Sequence, residues 1–412
     1  MERRVPGLRA SFARVAAAAL ATVLCAGCGG GGGGGTSASP AADPDAGLTR
    51  LEVIGKRIFF DTTLSNPPGQ SCAGCHDAAT AFAGNFGSTE GVPFAADRAT
   101  LGLRNTPTAM YASFTPAFGM VTVNGHLVAS GGQFLDGRAA TLEDQARMPF
   151  LAAGEMNLVD ANQLADRLAR SPYALLMAKE FGLEVFSHPG WAMDAAVSAI
   201  AAFERTAEFA PFSSKFDNSR YGAATLSELE KEGQRLFADP NKGNCSNCHA
   251  FKADATRASE LLFTDFSYHN IGVPRNMRIP ANGDAAFFDL GLCGPRRTAV
   301  ADESLCGAFK VPTLRNVNRK RAFMHNGFFT SLRDVVAFYA SRDSTPTRWY
   351  VYGTQFDDVP ARFRANIDLA LVPFQPAAAM PVRLDEHEID AITAFLRTLD
   401  DGFGASRVPG SR

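Results

Sequence analysis

An apolar run long enough to cross a bilayer is missing from this chain. The N-terminal stretch Val15 to Leu24 falls short of the about 20 residues a spanning helix needs, so no membrane-embedded body is expected. An excess of either charge is missing too. The 40 basic and 42 acidic side chains become 36 and 41 once Met1 to Gly27 is removed, because Arg3, Arg4, Arg9, Arg14 and Glu2 leave with it. So mild an acidity argues against a nucleic-acid partner and is too small to select a protein partner. Strand signal is sparse, confined to Met120 to Val123 and Leu127 to Ala129 around Asn124-Gly125, which excludes a mainly β fold. Cysteine is scarce: there are eight, and each can be accounted for.

Four of the eight stand in two copies of one motif, Cys72-Ala73-Gly74-Cys75-His76 and Cys245-Ser246-Asn247-Cys248-His249. Two thiols at this spacing add to the vinyl groups of one haem, and the adjacent His lies under the iron as its proximal ligand. Two covalently bound c-type haems are therefore expected, held by Cys72, Cys75, Cys245 and Cys248, with His76 and His249 on the irons. A zinc knuckle or thiol redox pair gives no reason for His directly after the second Cys in both copies.

The N-terminus carries an export signal. Four Arg precede Val15 to Leu24, and the run ends in Ala26-Gly27-Cys28 before seven glycines, Gly29 to Gly35. Residues 1–27 are read as a lipoprotein-type signal, with Cys28 lipidated and residues 28–46 as a flexible tether. The departure is Cys25, where Leu is usual; plain cleavage to a soluble periplasmic protein is the alternative. Localisation is then the periplasm, with membrane contact only through an N-terminal lipid. Cys293 and Cys306, thirteen apart in an oxidising compartment, are expected to pair, a buried reduced pair being the alternative.

An internal repeat lies behind the haem motifs. Gly55-Lys56-Arg57-Ile58-Phe59-Phe60-Asp61 precedes the first and Gly233-Gln234-Arg235-Leu236-Phe237-Ala238-Asp239 the second. Each looks like a short helix, a turn, then the haem segment, as in a class I cytochrome c. Apolar spacing of three and four marks further helices at Ala161 to Leu168, Pro172 to Phe181 and Ala192 to Phe209. A last helix starts at Asp385, has Glu388 three residues on, and ends at Gly402. The expected fold is mainly α: two tandem class I cytochrome c-like domains, 47–220 and 221–412, with haems near the domain interface. The boundary is placed near residues 212–226, where Pro211, Ser213, Ser214, Asn218, Ser219 and Gly222 interrupt the helical pattern.

From about Leu51 to Leu399 the chain resembles the bacterial di-haem cytochrome c peroxidases and the related MauG proteins. The resemblance rests on Arg104-Asn105-Thr106-Pro107-Thr108, Gln133-Phe134-Leu135-Asp136-Gly137-Arg138-Ala139, Phe266-Ser267-Tyr268-His269-Asn270-Ile271-Gly272, Val311-Pro312-Thr313-Leu314-Arg315-Asn316-Val317 and Met324-His325-Asn326-Gly327. It implies that the N-terminal haem is the peroxide site and that the C-terminal haem stores or relays electrons. It also implies that Gln133 and Glu143 line the distal face of the first haem. Thr141 is read as a helix N-cap, which puts Glu143 in a first turn where the helix dipole favours its proton-accepting form. Burial pulls the other way.

Two departures from the peroxidase pattern bear on mechanism. The interval from Asp77 to Gly125 contains no His, so the first haem is expected to be five-coordinate or to hold only water. His126 is the rival ligand. In the peroxidases the second haem's sixth ligand is a Met fourteen residues after a His; counting from His325 gives Tyr339, which matches MauG. A hard, anionic phenolate stabilises ferric and high-valent iron. A core role for Tyr339 is the alternative, with Met324 and Met277 as substitute ligands. The resemblance further implies a calcium ion bound through Asn105 and the carbonyls of Lys320 and Ala322, against which the Lys320 charge stands. Where the family often has a Trp between the haems this chain has Val123; its two tryptophans are Trp191 and Trp349.

His269 and His325 are expected to hydrogen-bond near the second haem, and His188 and His387 to face solvent. Arg138 and Arg315 are read as partners of haem propionates or of protein carboxylates. Three activities are weighed. The first is a periplasmic peroxidase that reduces hydrogen peroxide with electrons from a small cytochrome c or cupredoxin. The second is a MauG-like enzyme whose high-valent haems oxidise a partner protein, and the third is an electron-transfer cytochrome without chemistry. Gln133 and Glu143 beside an open iron argue against the third.

Overall fold

Four α-helices of the described residues start where the sequence supplies a reciprocal cap, α7 (Lys215–Arg220) through Ser214 and Asp217 among them. Thr49 accepts from the Glu52 backbone N–H while Glu52 accepts from that of Thr49, opening α1 (Arg50–Phe60). Ser227 with Glu230 and Asp385 with Glu388 do the same for α8 (Glu228–Ala238) and α11 (Glu386–Arg397). Each pair satisfies two of the N–H groups that a helix start leaves without partners. The computed structural model describes residue 43 and residues 45–404, apart from 124, 125, 253, 299, 371, 373 and 375–383. The proposed signal, Cys25, Cys28 and most of the tether lie outside the described residues, as does the Asn124-Gly125 turn.

Between those helices run α2 (Cys72–Cys75), α3 (Leu142–Leu151), α4 (Ala161–Ala169), α5 (Ala174–Phe181), α6 (Pro189–Glu204), α7 (Lys215–Arg220), α9 (Leu332–Ser341) and α10 (Pro346–Trp349). Among the described residues sheet is limited to two antiparallel pairs, β1 (Gly119–Val123) with β2 (His126–Ser130) and β3 (Tyr268–His269) with β4 (Phe309–Lys310). The mainly helical expectation is met. No helix among the described residues is long and apolar enough to cross a membrane. Two expected helix ends differ: α6 stops at Glu204, not Phe209, and α11 at Arg397, five residues before Gly402.

The internal repeat is structural as well as sequential. A Cβ on Gly55 of α1 would lie 1.9 Å from the Ala199 carbonyl oxygen of α6 and 2.9 Å from Phe203 Cβ. On Gly233 of α8 it would lie 1.9 Å from the Ala391 oxygen of α11 and 2.9 Å from Phe395 Cβ. Both helix pairs therefore cross backbone to backbone at a glycine, a contact no larger residue permits. One turn further on, Phe59 meets Phe203 edge to face at 5.6 Å, and Phe237 meets Phe395 at 5.4 Å. Gly233→Ala is expected to cost about 1–3 kcal/mol through forced separation of α8 and α11, read as a lowered urea midpoint. An unchanged midpoint would show that the crossing opens freely.

Two large apolar cores form around these helix pairs, beside two smaller clusters among the described residues. One gathers Ile54, Ile58, Phe59, Ile200, Phe203 and Phe209; the other gathers Leu236, Phe237, Phe263, Phe338, Phe395 and Leu396. The stretch expected to interrupt the helical pattern between them holds a short helix instead. In α7, capped by Ser214, Phe216, Asp217 and Asn218 are buried, and Asp217 forms a bidentate pair with Arg315 at 2.6 and 2.9 Å. Ser214, Asn218 and Ser219 turn their polar side chains onto local backbone and the Asp217 carboxylate, so residues that read as a linker cap and line a helix.

Candidate functional site

Each Cys-x-x-Cys-His segment follows one of the two repeat helices, α1 or α8, and faces one continuous cavity. That cavity is lined by Cys72, Cys75 and His76 together with Cys245, Cys248 and His249. The four cysteines form no disulfide. Burial pushes the thiols of Cys72, Cys75 and Cys245 up to about 12, so they stay neutral. The imidazoles are oriented alike: His76 Nδ1 hydrogen-bonds the Phe82 carbonyl at 2.9 Å and His249 Nδ1 the Phe263 carbonyl at 3.0 Å. A proton on Nδ1 leaves Nε2 as the free lone pair, the arrangement of a ligating histidine oriented by a second partner. Burial also lowers both imidazole pKa values, which favours the neutral, ligating form. This donor set fits two covalently attached haems: four unpaired thiols, two oriented imidazoles and a largely apolar cavity.

Gln133 lines the cavity, buried, with Nε2 donating to the Ala112 carbonyl at 3.1 Å. Its loop is held by Asp136, which is fully buried between Arg104 at 2.7 Å and Arg138 at 2.9 Å. Gly137, at φ +65°, turns the chain where a Cβ would meet the Tyr268 hydroxyl at 2.2 Å. Glu143 is placed differently from its expected role. Thr141 does cap α3, but the Glu143 carboxylate is held by Arg205 at 2.7 and 3.1 Å, its side chain is 35% exposed, and it does not line the cavity. The Arg205 hydrogen bonds hold its pKa below the usual carboxylate range. A paired surface carboxylate is a poor proton acceptor, and this corrects the expectation.

Five carboxyl residues line the cavity: Glu155, Asp289, Asp358 and Asp368 are paired with Arg296, Arg104, His325 and His269, and Glu204, the last residue of α6, is 6% exposed. Burial pushes it up to about 8. It was missed because it follows an apolar run. The readable signal was the stripe Ala196, Ile200, Glu204 at spacing four, which places an acid on the buried face of the helix.

Tyr339, on α9, lines the cavity near Cys245 and Cys248, stacked on Phe374 at 5.2 Å. Burial raises its phenol pKa, and its hydroxyl has no hydrogen-bond partner among the described residues. Met324 also lines the cavity. Met277 does not; it is exposed. His126 begins β2, but its side chain lies outside the description, and so does that of Val123. Trp191 is exposed beside His188, and Trp349 is buried against Ser341 in the second core; neither lines the cavity. His188 and His387 are on the surface.

The remaining basic residues bind protein carboxylates. Arg315 pairs with Asp217 and Arg138 with Asp136. His269 hydrogen-bonds Asp368 at 2.7 Å, and His325 pairs with Asp358 at 3.1 Å while stacking on Phe309 at 3.8 Å. Cys293 and Cys306 are joined in a disulfide.

The donors at the expected calcium position do not fit a cation. Asn105 Nδ2 donates to the carbonyls of Ala322 at 2.9 Å and Met324 at 3.1 Å. The buried Lys320 ammonium donates to the Thr106 carbonyl at 2.9 Å. A positive charge already stands at this junction, where hard oxygen donors alone would suit calcium.

Residues 50–225 match the family model described as di-haem cytochrome c peroxidase. The chain is similar to the methylamine utilization protein MauG of Paracoccus denitrificans, 37% identical over 85% of this chain and 88% of that protein. It is also similar to cytochrome c551 peroxidase of Nitrosomonas europaea, 29% identical over 69% of this chain and 70% of that one. The crystal structure of the diheme peroxidase BthA from Burkholderia thailandensis superposes with a TM-score of 0.79 at 38% identity, covering 87% of this chain and 86% of that one.

Proposed function

Because the chain belongs to the di-haem cytochrome c peroxidase and MauG family, we propose that it is a periplasmic di-haem oxidoreductase that reduces hydrogen peroxide at its N-terminal haem. The observation that carries this reading is the single cavity lined by both Cys-x-x-Cys-His segments, with an Nε2 lone pair free in each half and the Gln133 amide in the first. The haems supply the electron transfer and the iron that binds peroxide.

The protein's own contribution is placement. Cys72 and Cys75 would tether one haem and Cys245 and Cys248 the other, and His76 and His249 through Nε2, with Tyr339 through its phenol oxygen, would be available as iron ligands. The Gln133 side chain, anchored through Nε2 to Ala112, keeps its Oε1 for a peroxide O–H. The two glycine-crossed helix pairs support reading 47–220 and 221–412 as tandem cytochrome c-like domains. Electrons would come from a small periplasmic cytochrome c or cupredoxin. A second reading, oxidation of a partner protein as in MauG, is favoured by the Tyr339 position and by the 37% identity to a MauG protein.

The test is electron paramagnetic resonance of the resting ferric protein, followed by one equivalent of peroxide. A high-spin first haem that reacts while fully oxidised is expected. Two low-spin signals, silent to peroxide until one electron is added, would overturn the open-site reading. Turnover with several reduced carriers, set against oxidation of candidate proteins, separates the two readings.

A further inference from the structure

Where residues 104–108 meet residues 320–325 the chain brings a charge of its own. The Lys320 side chain lines the cavity, and its ammonium donates to the Thr106 carbonyl at 2.9 Å. The arginines on the same wall, Arg104, Arg138, Arg296 and Arg315, each hold a carboxylate; Lys320 has no ion pair among the described residues. Burial acts on it and pushes its pKa down to about 8, which leaves the ammonium the main form at pH 7. Around it the two segments are laced by neutral bonds. The Asn105 backbone N–H donates to the His325 carbonyl at 2.7 Å, its side-chain amide to the carbonyls of Ala322 and Met324, and the Thr106 N–H to Asn85 Oδ1. No carboxylate stands among these partners, so nothing there offsets a charge of two. A divalent ion loses far more solvation on burial than an ammonium does, and it would also meet the Lys320 charge at close range.

We propose that Lys320 stands in for the calcium ion that the resemblance implies: its ammonium is the built-in cation of this junction, and the protein binds no calcium there. This goes beyond the peroxidase reading and holds whichever substrate the haems serve. The ammonium does two things a bound ion would do. Through Thr106 it ties the 104–108 segment to the 320–325 segment, and it keeps a positive charge close enough to act on the His76 imidazole. A positive charge there disfavours the ferric state of an iron held by His76 and so raises its reduction potential. Unlike calcium, which needs six to eight oxygen ligands, the tethered ammonium needs one carbonyl and cannot dissociate. Lys320 is a positioning residue in this role.

The experiment uses the holoprotein at pH 7, dialysed against EGTA or against calcium chloride. Wild type is expected to hold well under one calcium ion per chain by elemental analysis, and to keep the same urea midpoint and the same first-haem potential in both buffers. Lys320→Thr removes the charge and keeps the backbone carbonyl. In EGTA its first-haem potential should shift negative and its urea midpoint fall, while Lys320→Arg should keep the wild-type values. In calcium chloride the Thr variant should take up one calcium ion per chain and recover most of both losses. A calcium ion held by wild type through EGTA overturns the proposal, as do wild-type values that move when calcium is removed; neither result needs a variant that folds. A Thr variant with an unchanged potential also overturns it, and so does a loss that neither Arg nor calcium restores, which would mark a packing contact. Calcium content and urea midpoint do not depend on how the haems react, so this proposal and the peroxidase reading can fail separately.

Discussion

Replacing Tyr339 by Met is expected to raise the reduction potential of the second haem by about 0.2–0.4 V, a large part of the about 0.8 V that axial ligands span. A phenolate is a hard, charged oxygen and stabilises ferric iron, whereas a neutral thioether favours the ferrous state. Tyr339 is suited to the role by its surroundings: it lines the cavity beside the Cys245 and Cys248 pair, and its hydroxyl has no hydrogen-bond partner among the described residues while Phe374 stacks on its ring. Burial raises the phenol pKa, so only an iron close enough to displace the proton would stabilise the anion. Spectroelectrochemical titration reads the shift. Tyr339→Phe, which removes the oxygen and keeps the ring, should turn the second haem high-spin. A potential that stays put in the Met variant, with an unaltered low-spin signal in the Phe variant, would leave Tyr339 as a packing residue only.

Arg315→Met is expected to destabilise the protein by about 3–5 kcal/mol, the cost of stranding a buried charge without its partner. Both side chains are out of solvent, 0% exposed for Arg315 and 3% for Asp217, and the guanidinium makes two bonds to the carboxylate and one to the Leu261 carbonyl. The adjoining Asn316 donates to Asp401, which also accepts from the Tyr111 hydroxyl, so the loss is expected to loosen the wall between α7 and the chain's C-terminal end. The Asp217 pKa is held low by Arg315 against the opposing cost of burial. Its contribution is therefore present above the unfolded carboxylate pKa of about 3.9 and is lost as pH falls through the folded value. Urea unfolding at neutral pH and in acid measures both effects. The double variant Arg315→Met/Asp217→Leu should recover most of the loss, because an apolar pair leaves no unpaired charge; a double variant as weak as the single would place the cost in packing instead.

Haem attachment was legible because its chemistry is local: two thiols and an imidazole within five residues cannot be rearranged by folding. The helix starts at Thr49, Ser227 and Asp385 were legible for the same reason, since a cap is a contact between residues three apart. Local signals failed where distant neighbours competed for a side chain. Glu143 has the right spacing from Gln133 and the right cap before it, yet Arg205, sixty-two residues away, takes its carboxylate. Ser213 to Ser219 reads as a linker, yet Arg315 draws Asp217 into a buried helix. The calcium donors match the pattern by position, but an amide N–H and a lysine ammonium stand among them.

The sequence by itself determined the two haem-binding motifs that place the chain in a di-haem family, and the mainly helical repeat around them. Only the tertiary structure decided which acidic side chains line the cavity, Glu204 among them, and that Glu143 is paired at the surface. The physical reason is that a carboxylate's role depends on its solvent and its counter-charge, and both are set by residues far away along the chain.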